Sequence, residues 1–265
     1  MPEVISYKNL EICYDGRAVV QDVSFSLAKG KVLCIVGESG SGKSTLLKAA
    51  MDLLGEDGGI SAGSIAFNGV DLIETKKGDR QKLYGRHIAM IFQDAAASFC
   101  PIRTIGSQIY ESLAVHLKWN KAEAREKALD LFNKIGLEDG ARVWDSYPFE
   151  LSGGMNQRAA VAGAMLMKPE LLLGDEPTSA LDVCAQKQVL DEIKLLCGEY
   201  DTAAVIVTHD MGVAEYMADF VLVMRGGQAV EYGAAEEVLH NPQSDYTKLL
   251  LDAAPRLRRK CPCCK

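Results

Sequence analysis

The sequence predicts an α/β fold built on a parallel sheet, and three stretches predict it. Each sets a short apolar run before a polar segment that carries chemistry. The first is VLCIV at residues 32–36, followed by GESGSGKST at 37–45 and LLKAAM at 46–51. The second is LLLG at 171–174, ending in Asp175 and Glu176. The third is AVIV at 204–207, followed by Thr208, His209 and Asp210, with a helical stretch at 185–196 before it. Short apolar runs bounded by turn signals read as buried strands. Strands joined by helices make parallel crossover units, and ligands of such sheets bind outside the carboxyl ends of the strands.

The remaining elements follow in chain order. Residues 3–36 read as short strands with turns. Asp15 and Gly16 are a hairpin signal between 11–14 and 17–20, and Lys29 with Gly30 marks a turn directly before the strand at 32–36. Further short strands are expected at 64–67 and 88–92. The character changes between 104 and 147. Apolar residues at 124, 128, 131, 132 and 135 have helical spacing, and 104–117 also reads as helix, so a mostly helical insertion separates the strand-rich parts. Residues 220–224, the turn Arg225-Gly226-Gly227 and residues 229–232 predict a closing hairpin. There is no internal repeat.

The stretch GESGSGKST fits G-x-x-x-x-G-K-[ST] residue for residue, in the strand–loop–helix context that a phosphate-binding loop requires. Gly37, Gly40 and Gly42 let the backbone curve with no Cβ in the way. The N–H groups around Ser39, Ser44 and Thr45 and the new helix start then converge on phosphate oxygens. Lys43 is placed to reach the β- and γ-phosphates, and the Ser44 hydroxyl can ligate Mg²⁺. Asp175 can hold the Mg²⁺ shell, and Glu176 can polarise or deprotonate a water attacking the γ-phosphate. Two acids after an apolar run are, alone, equally a solvated strand end; the phosphate loop upstream favours chemistry. LSGGMNQR at 151–158 opens a second helix, with Ser152 as N-cap and Gly153 and Gly154 allowing close backbone approach. It too suits an anion. One chain has no evident need for two such cradles over a hundred residues apart, whereas a composite site across a dimer would use both.

With these motifs in place, the chain resembles the nucleotide-binding subunit of an ATP-binding cassette (ABC) transporter, over essentially its whole length. The resemblance implies a mixed core sheet of P-loop NTPase type with an N-terminal antiparallel β subdomain and a helical subdomain. The ATP-binding core is expected at 1–93 and 160–250, the helical and signature part at 94–159, and a short basic, cysteine-containing tail at 251–265. Gln93 in MIFQD matches the glutamine loop, implying contact with metal, γ-phosphate and the membrane subunit. Ser152, Gly153 and Gly154 match the signature motif, which in the family completes the partner subunit's ATP site. Asp175 and Glu176 match the second nucleotide motif and the catalytic glutamate, and His209 matches the switch histidine. Asp182 matches the loop that follows the acids, a role compatible with capping the next helix. Tyr14 lies where the family sets an aromatic against adenine, though it could instead shield a hairpin. Implied partners are a second ATPase subunit, two membrane-spanning permease subunits and, indirectly, an extracytoplasmic solute-binding protein, all serving ATP- and Mg²⁺-dependent transport from the cytoplasmic face of the membrane.

Within the family the chain is most similar to the dipeptide, oligopeptide and nickel importers, which usually pair two different ATPase subunits. The stretches 90–94, Pro101 to Ile109, 151–158 and His240 to Leu250 carry that similarity. Cys100 stands where the subfamily commonly has asparagine, and Gly174 where a bulkier residue or alanine is commoner. Cys261, Cys263 and Cys264 are three thiols where a closed zinc site expects four ligands. Nickel or metallophore import therefore stays open beside peptide import. A non-transport ATPase of the family would want a long coiled-coil insert or two fused cassettes, and a binding module with a dead site would lack Lys43, Asp175, Glu176 or His209.

Composition sets outer bounds. The 265 residues are 48% hydrophobic and 25% charged, ordinary for a globular protein. A formal net charge of −7 disfavours nucleic acid as a main partner. No apolar run reaches the length of a bilayer span, and the start of the chain lacks the pattern of a signal peptide. Eight cysteines in such a chain are not expected to form a disulfide framework.

Overall fold

Alternation along the central strands decides which face each residue serves. In β3 (Val32–Val36), Val32, Cys34 and Val36 enter one hydrophobic core, while Leu33 and Ile35 enter a second on the opposite face. The same division holds in β8 (Ala203–Thr208), where Ala204 and Ile206 face the first core and Val205 and Val207 the second. Both faces are covered, so these strands read as continuous apolar runs and not as alternating ones. Each fully buried leucine or isoleucine contributes about 1.5–3 kcal/mol.

The computed structural model describes residues 2–253, so Cys261, Cys263 and Cys264 and most of the expected tail lie outside the described residues. The chain opens with β1 (Glu3–Tyr14) and β2 (Arg17–Ala28), then β3, α1 (Lys43–Ala50), β4 (Gly58–Phe67), β5 (Val70–Asp71) and α2 (Lys77–Leu83). β6 (Ile88–Ile91) leads into the helices α3 (Ala95–Ser98), α4 (Ile105–His116), α5 (Lys121–Lys134), α6 (Gly140–Asp145) and α7 (Gly153–Met165). Then come β7 (Leu171–Asp175), α8 (Val183–Tyr200), β8, α9 (Met211–Met217), β9 (Phe220–Arg225), β10 (Gln228–Ala234), α10 (Ala235–His240) and α11 (Asp245–Ala253).

Two sheets result. The central one has the order β10-β9-β3-β8-β7-β6, with β10 antiparallel to β9 and the remaining pairs parallel. The other is antiparallel, in the order β2-β1-β4-β5. Leu46, Leu47 and Ala50 of α1 fill the core shared by the two sheets, where the Tyr7 hydroxyl donates to the Leu46 carbonyl at 3.0 Å. The other face of the central sheet packs on α4, α5, α7, α8 and α9. This is the mixed α/β architecture expected, with an antiparallel β part first and the helical insertion after β6.

The antiparallel strands are longer than the sequence pattern suggested. β1 and β2 run 12 residues each and β4 runs 10. Bulges hide this. Asn9 (φ 45°) and Asp22 (φ 50°) face each other across the hairpin, joined by an Asn9 Nδ2 to Asp22 Oδ1 bond of 2.7 Å. Gly63 (φ 86°) lies against them, where a Cβ would come within 2.3 Å of the Asn9 carbonyl oxygen. Each extra residue inverts the period-two pattern, so one long strand looks like two short ones. The helix α11 lies outside the elements the pattern predicts, although Ser244 before it and Asp245 in its first turn are start signals.

One subfamily departure has a local account, and nothing in the structure explains the cysteine side chain at 100. Gly174 sits on β7, where a Cβ would meet the Ile206 δ-methyl at 2.8 Å; the larger neighbour fills the space. At Cys100 the backbone is clamped by Gln108, whose Oε1 accepts from the Cys100 N–H at 2.7 Å and whose Nε2 donates to its carbonyl at 3.1 Å. The five cysteines among the described residues are unpaired, and burial pushes the Cys34 thiol up to about 12.

In the helical part, Trp144 is buried against Gly106, where a Cβ would lie 2.3 Å from two indole carbons. Gly106→Ala should destabilise the chain by about 1–3 kcal/mol through overpacking, read as a lower urea midpoint with an unchanged m-value.

Candidate active site

β3, β8 and β7 are neighbours in the central sheet, so the segments that follow them meet at one edge. The loop after β3 is shaped by its glycines. Gly37 has φ 150°, and a Cβ there would fall 2.1 Å from the Met224 carbonyl oxygen; Gly42 caps α1 at φ 93°. Only glycine fits the first position. The Gly227 N–H donates to the Ser41 carbonyl at 3.2 Å, so the turn after β9 props the loop from outside. Ser39 and Gly40 are exposed at its tip, and Ser44 and Thr45 are half-buried in the first turn of α1.

Lys43 is only 5% exposed. Its Nζ donates to the carbonyls of Gly37 (2.9 Å) and Glu38 (2.8 Å) and to Ser41 Oγ (3.5 Å). Burial lowers its pKa, and the carboxylates of Glu176, Asp175 and Glu38 act against that shift. The Ser44 hydroxyl donates to Asp175 Oδ1 at 2.6 Å, joining the loop to the end of β7. Glu176 follows in the left-handed region (φ 46°), a conformation uncommon for a side chain of its size. It is held there by its N–H donating to the Val207 carbonyl at 3.0 Å. Its carboxylate lies 3.1 Å from His209 Nδ1, which comes from the segment after β8. A main-chain outlier, a carboxylate and an imidazole thus converge beside the loop.

The other expected residues are held by contacts of their own. Gln93 is exposed just past β6; the preceding Phe92 carbonyl accepts from Gln157 Nε2 at 3.4 Å, tying that segment to α7. Ser152 caps α7 by accepting from the Met155 N–H at 3.2 Å, with Ser152 and Gly153 exposed and Gly154 set against Ala185. α7 packs on α3, α5, α8 and β6, whereas α1 packs on β2 and β7. The two glycine-bearing helix starts therefore belong to different packing neighbourhoods of one chain. Asp182 caps α8, accepting from the N–H groups of Cys184 and Ala185 at 3.0 Å. Tyr14 ends β1 half-buried, its ring over Gly58 and packed beside Leu54 on the second core.

The donor set suits a triphosphate with Mg²⁺. Ser44 and Asp175 supply hard oxygen donors, and no cluster of three or more metal-ligating side chains occurs among the described residues. Mg²⁺ commonly binds in this way, through one or two carboxylates with substrate phosphates completing the shell. Lys43 offers a desolvated cation whose partners are uncharged.

The ABC transporter family matches residues 20–179. The chain is 43% identical over 259 residues to the oligopeptide transport ATP-binding protein AmiE of Streptococcus pneumoniae, covering 96% of this chain and 73% of that one. The chain belongs to the ABC transporter family. It is an ATP-hydrolysing subunit of an ABC importer, and family membership implies the use of ATP and Mg²⁺. This ABC subunit is also 37% identical over 256 residues to the metal-staphylopine import system ATP-binding protein CntD of Staphylococcus aureus, covering 96% of this chain and 94% of that one. Among solved structures it resembles the dimeric bacterial ABC transporter cassette MJ0796, with TM-score 0.77, 26% identity, and coverage of 87% of this chain and 98% of that one. No helix among the described residues of the ABC subunit is long and apolar enough to cross a membrane.

Two further side-chain ties of this ABC subunit, one beside the site and one between α7 and α8, escaped the sequence reading. Gln186, on the first turn of α8, donates to Asp210 Oδ2 at 3.2 Å, joining the segment after Asp182 to the one after His209. Its position four residues after the cap was the available signal. Arg158 of α7 pairs with the buried Glu192 of α8 and donates to the Ile135 carbonyl at 2.8 Å. Burial raises the Glu192 carboxyl to about 7 even with Arg158 pulling it down.

Replacing Lys43 by alanine should weaken nucleotide binding at least about tenfold, the scale of a lost hydrogen bond to a charged group. Fluorescence titration with a labelled ATP analogue checks this.

Proposed function

We propose that this subunit binds ATP in a head-to-tail pair, between its own phosphate loop and the signature helix start of a partner subunit. The carrying observation is that Ser152, Gly153 and Gly154 stand at the N-terminus of a helix packed away from α1. An N–H-rich, dipole-favoured helix start of this kind binds anions readily. Gly37, Ser39, Gly40, Gly42, Lys43, Ser44 and Thr45 grip the phosphates, and Tyr14 lies against adenine. Ser44, Asp175 and Gln93 hold Mg²⁺, which neutralises phosphate charge when bound. Glu176 takes a proton from the attacking water. His209, 3.1 Å from Glu176, orients that carboxylate and the terminal phosphate. Asp182 meets the partner at the seam. Catalysis is then mostly positioning and electrostatics.

The core at 1–93 and 160–250 carries the nucleotide, and the part at 94–159 carries the signature; residues 251–265, the first three of which end α11, are a short basic, cysteine-containing stretch of the sequence. Between the two parts lies a groove of about 460 Å³ lined by Met90, Phe92, Ala95, Phe99, Ile109 and Val115, among others. Of its lining residues, Val115 is 74% exposed and Phe92 41% exposed. Apolar side chains this bare rim a surface for another protein, here a permease subunit at the cytoplasmic face of the membrane. Two permease subunits, a second ATPase subunit (a homologue or a second copy) and a solute-binding protein complete the transporter. The solute is a di- or oligopeptide, supported by the 43% identity to AmiE across nearly the whole chain. The similarity to CntD supports a metal chelate as the second reading.

Glu176→Gln should cut ATP turnover at least about 100-fold, the scale of lost general-base catalysis, while ATP then drives stable pairing in size-exclusion chromatography. Unchanged turnover removes Glu176 from this role. In the reconstituted transporter with its solute-binding protein, oligopeptide should stimulate hydrolysis and a nickel–metallophore complex should not; the reverse result selects the second reading.

A further inference from the structure

The peptide unit joining Gly37 to Glu38 is held at both ends. Its carbonyl, on Gly37, accepts from Lys43 Nζ at 2.9 Å. Its N–H, on Glu38, donates to the hydroxyl of Tyr246 at 3.3 Å, from a residue 208 positions away. Tyr246 lies in the first turn of α11 and is itself fixed in place. The Arg225 guanidinium sits over its ring, 4.7 Å from the centroid, and Arg225 Nε reaches to 4.0 Å from Glu38 Oε1. The chain entering α11 is pinned to β10, since the N–H groups of Gln243 and Ser244 donate to the Glu231 carboxylate at 2.7 and 3.2 Å. The next residue, Thr247, is fully buried.

Peptide planarity makes these two contacts one. The C=O and N–H of a trans unit point in opposite directions in a single plane, so fixing the N–H direction fixes the carbonyl that Lys43 uses. Gly37, at φ 150° with no side chain, gives the unit little other restraint against rotation. We propose that Tyr246 is a positioning residue for nucleotide binding: its hydroxyl holds the Gly37–Glu38 peptide so that the Gly37 carbonyl keeps Lys43 aimed into the phosphate loop. The inference rests on Lys43 being a phosphate ligand. Its consequence is that α11 is connected to the first step of the ATP cycle through the Tyr246 hydroxyl.

The test uses the full chain with Tyr246→Phe, which removes the hydroxyl and keeps the ring under Arg225. A neutral hydrogen bond is worth about 0.5–1.5 kcal/mol, or roughly 2- to 12-fold in affinity. The Kd for a labelled ATP analogue with Mg²⁺ should rise by that factor, and the Glu38 amide should exchange hydrogen faster. In the assembled transporter KM for ATP should rise with kcat within about twofold, because the contact is made before and during turnover alike. The melting temperature of the nucleotide-free chain should fall by no more than about 2–6 °C, the share of one neutral hydrogen bond. An unchanged Kd overturns the proposal, whether or not the melting temperature falls, since Tyr246 then only anchors α11. A raised Kd with unchanged Glu38 exchange also overturns it, because the effect then takes another route. Lys43→Ala, run in parallel, separates the failures: if it leaves binding intact the phosphate role of Lys43 is wrong, and if it abolishes binding while Tyr246→Phe does nothing, only the positioning role is wrong.

Discussion

A lysine ammonium kept out of water sets the terms for the rest of the molecule. Lys43 is almost fully buried, and its close partners are two main-chain carbonyls and a hydroxyl. Carbonyl dipoles offset only part of what a charge loses on leaving water. The site is therefore built one anion short, and carboxylates at hydrogen-bonding distance would have removed that deficit. Asp175 and Glu176 approach without closing it: Asp175 is engaged by Ser44 and Glu176 is turned toward His209. In the proposed site, a triphosphate would supply the missing charge.

That arrangement needs three strand ends in fixed relation, and the doubly covered sheet provides it. With apolar residues on both faces of β3, β7 and β8, a one-residue slip would drive an entire set of side chains into the wrong core. Register is thereby locked, and residues distant in sequence meet: Ser44 reaches Asp175, and His209 reaches Glu176. The left-handed backbone at Glu176 is tolerated because the bond to Val207 is part of the same rigid edge. Strain of this kind persists only where the surroundings over-determine it.

The central strands and the phosphate loop were legible in the sequence because local rules and global structure agree there. Apolar runs mark doubly buried strands, and the glycine spacing marks a backbone path that other residues cannot take. The antiparallel part was legible only in fragments, since bulges at Asn9, Asp22 and Gly63 break the alternation by which strands are recognised. Ser152 and Asp182 were readable as caps because capping is a contact with near neighbours in the chain. Tyr246 was not readable at all, because nothing local announces that a tyrosine near the end of the chain reaches residue 38. Arg158 and Glu192 fall in the same class, two charges that become a pair only once α7 and α8 are packed.

That pair adds a charged tie between two helices that already pack on each other. α7 begins at the Ser152 cap and α8 at the Asp182 cap, and Arg158 bolts the helices to each other and to the Ile135 carbonyl at the end of α5. Breaking one partner would leave a charge stranded in the interior, so the helices resist sliding past each other. One ion pair thereby fixes how the start of α7 and the start of α8 sit with respect to each other.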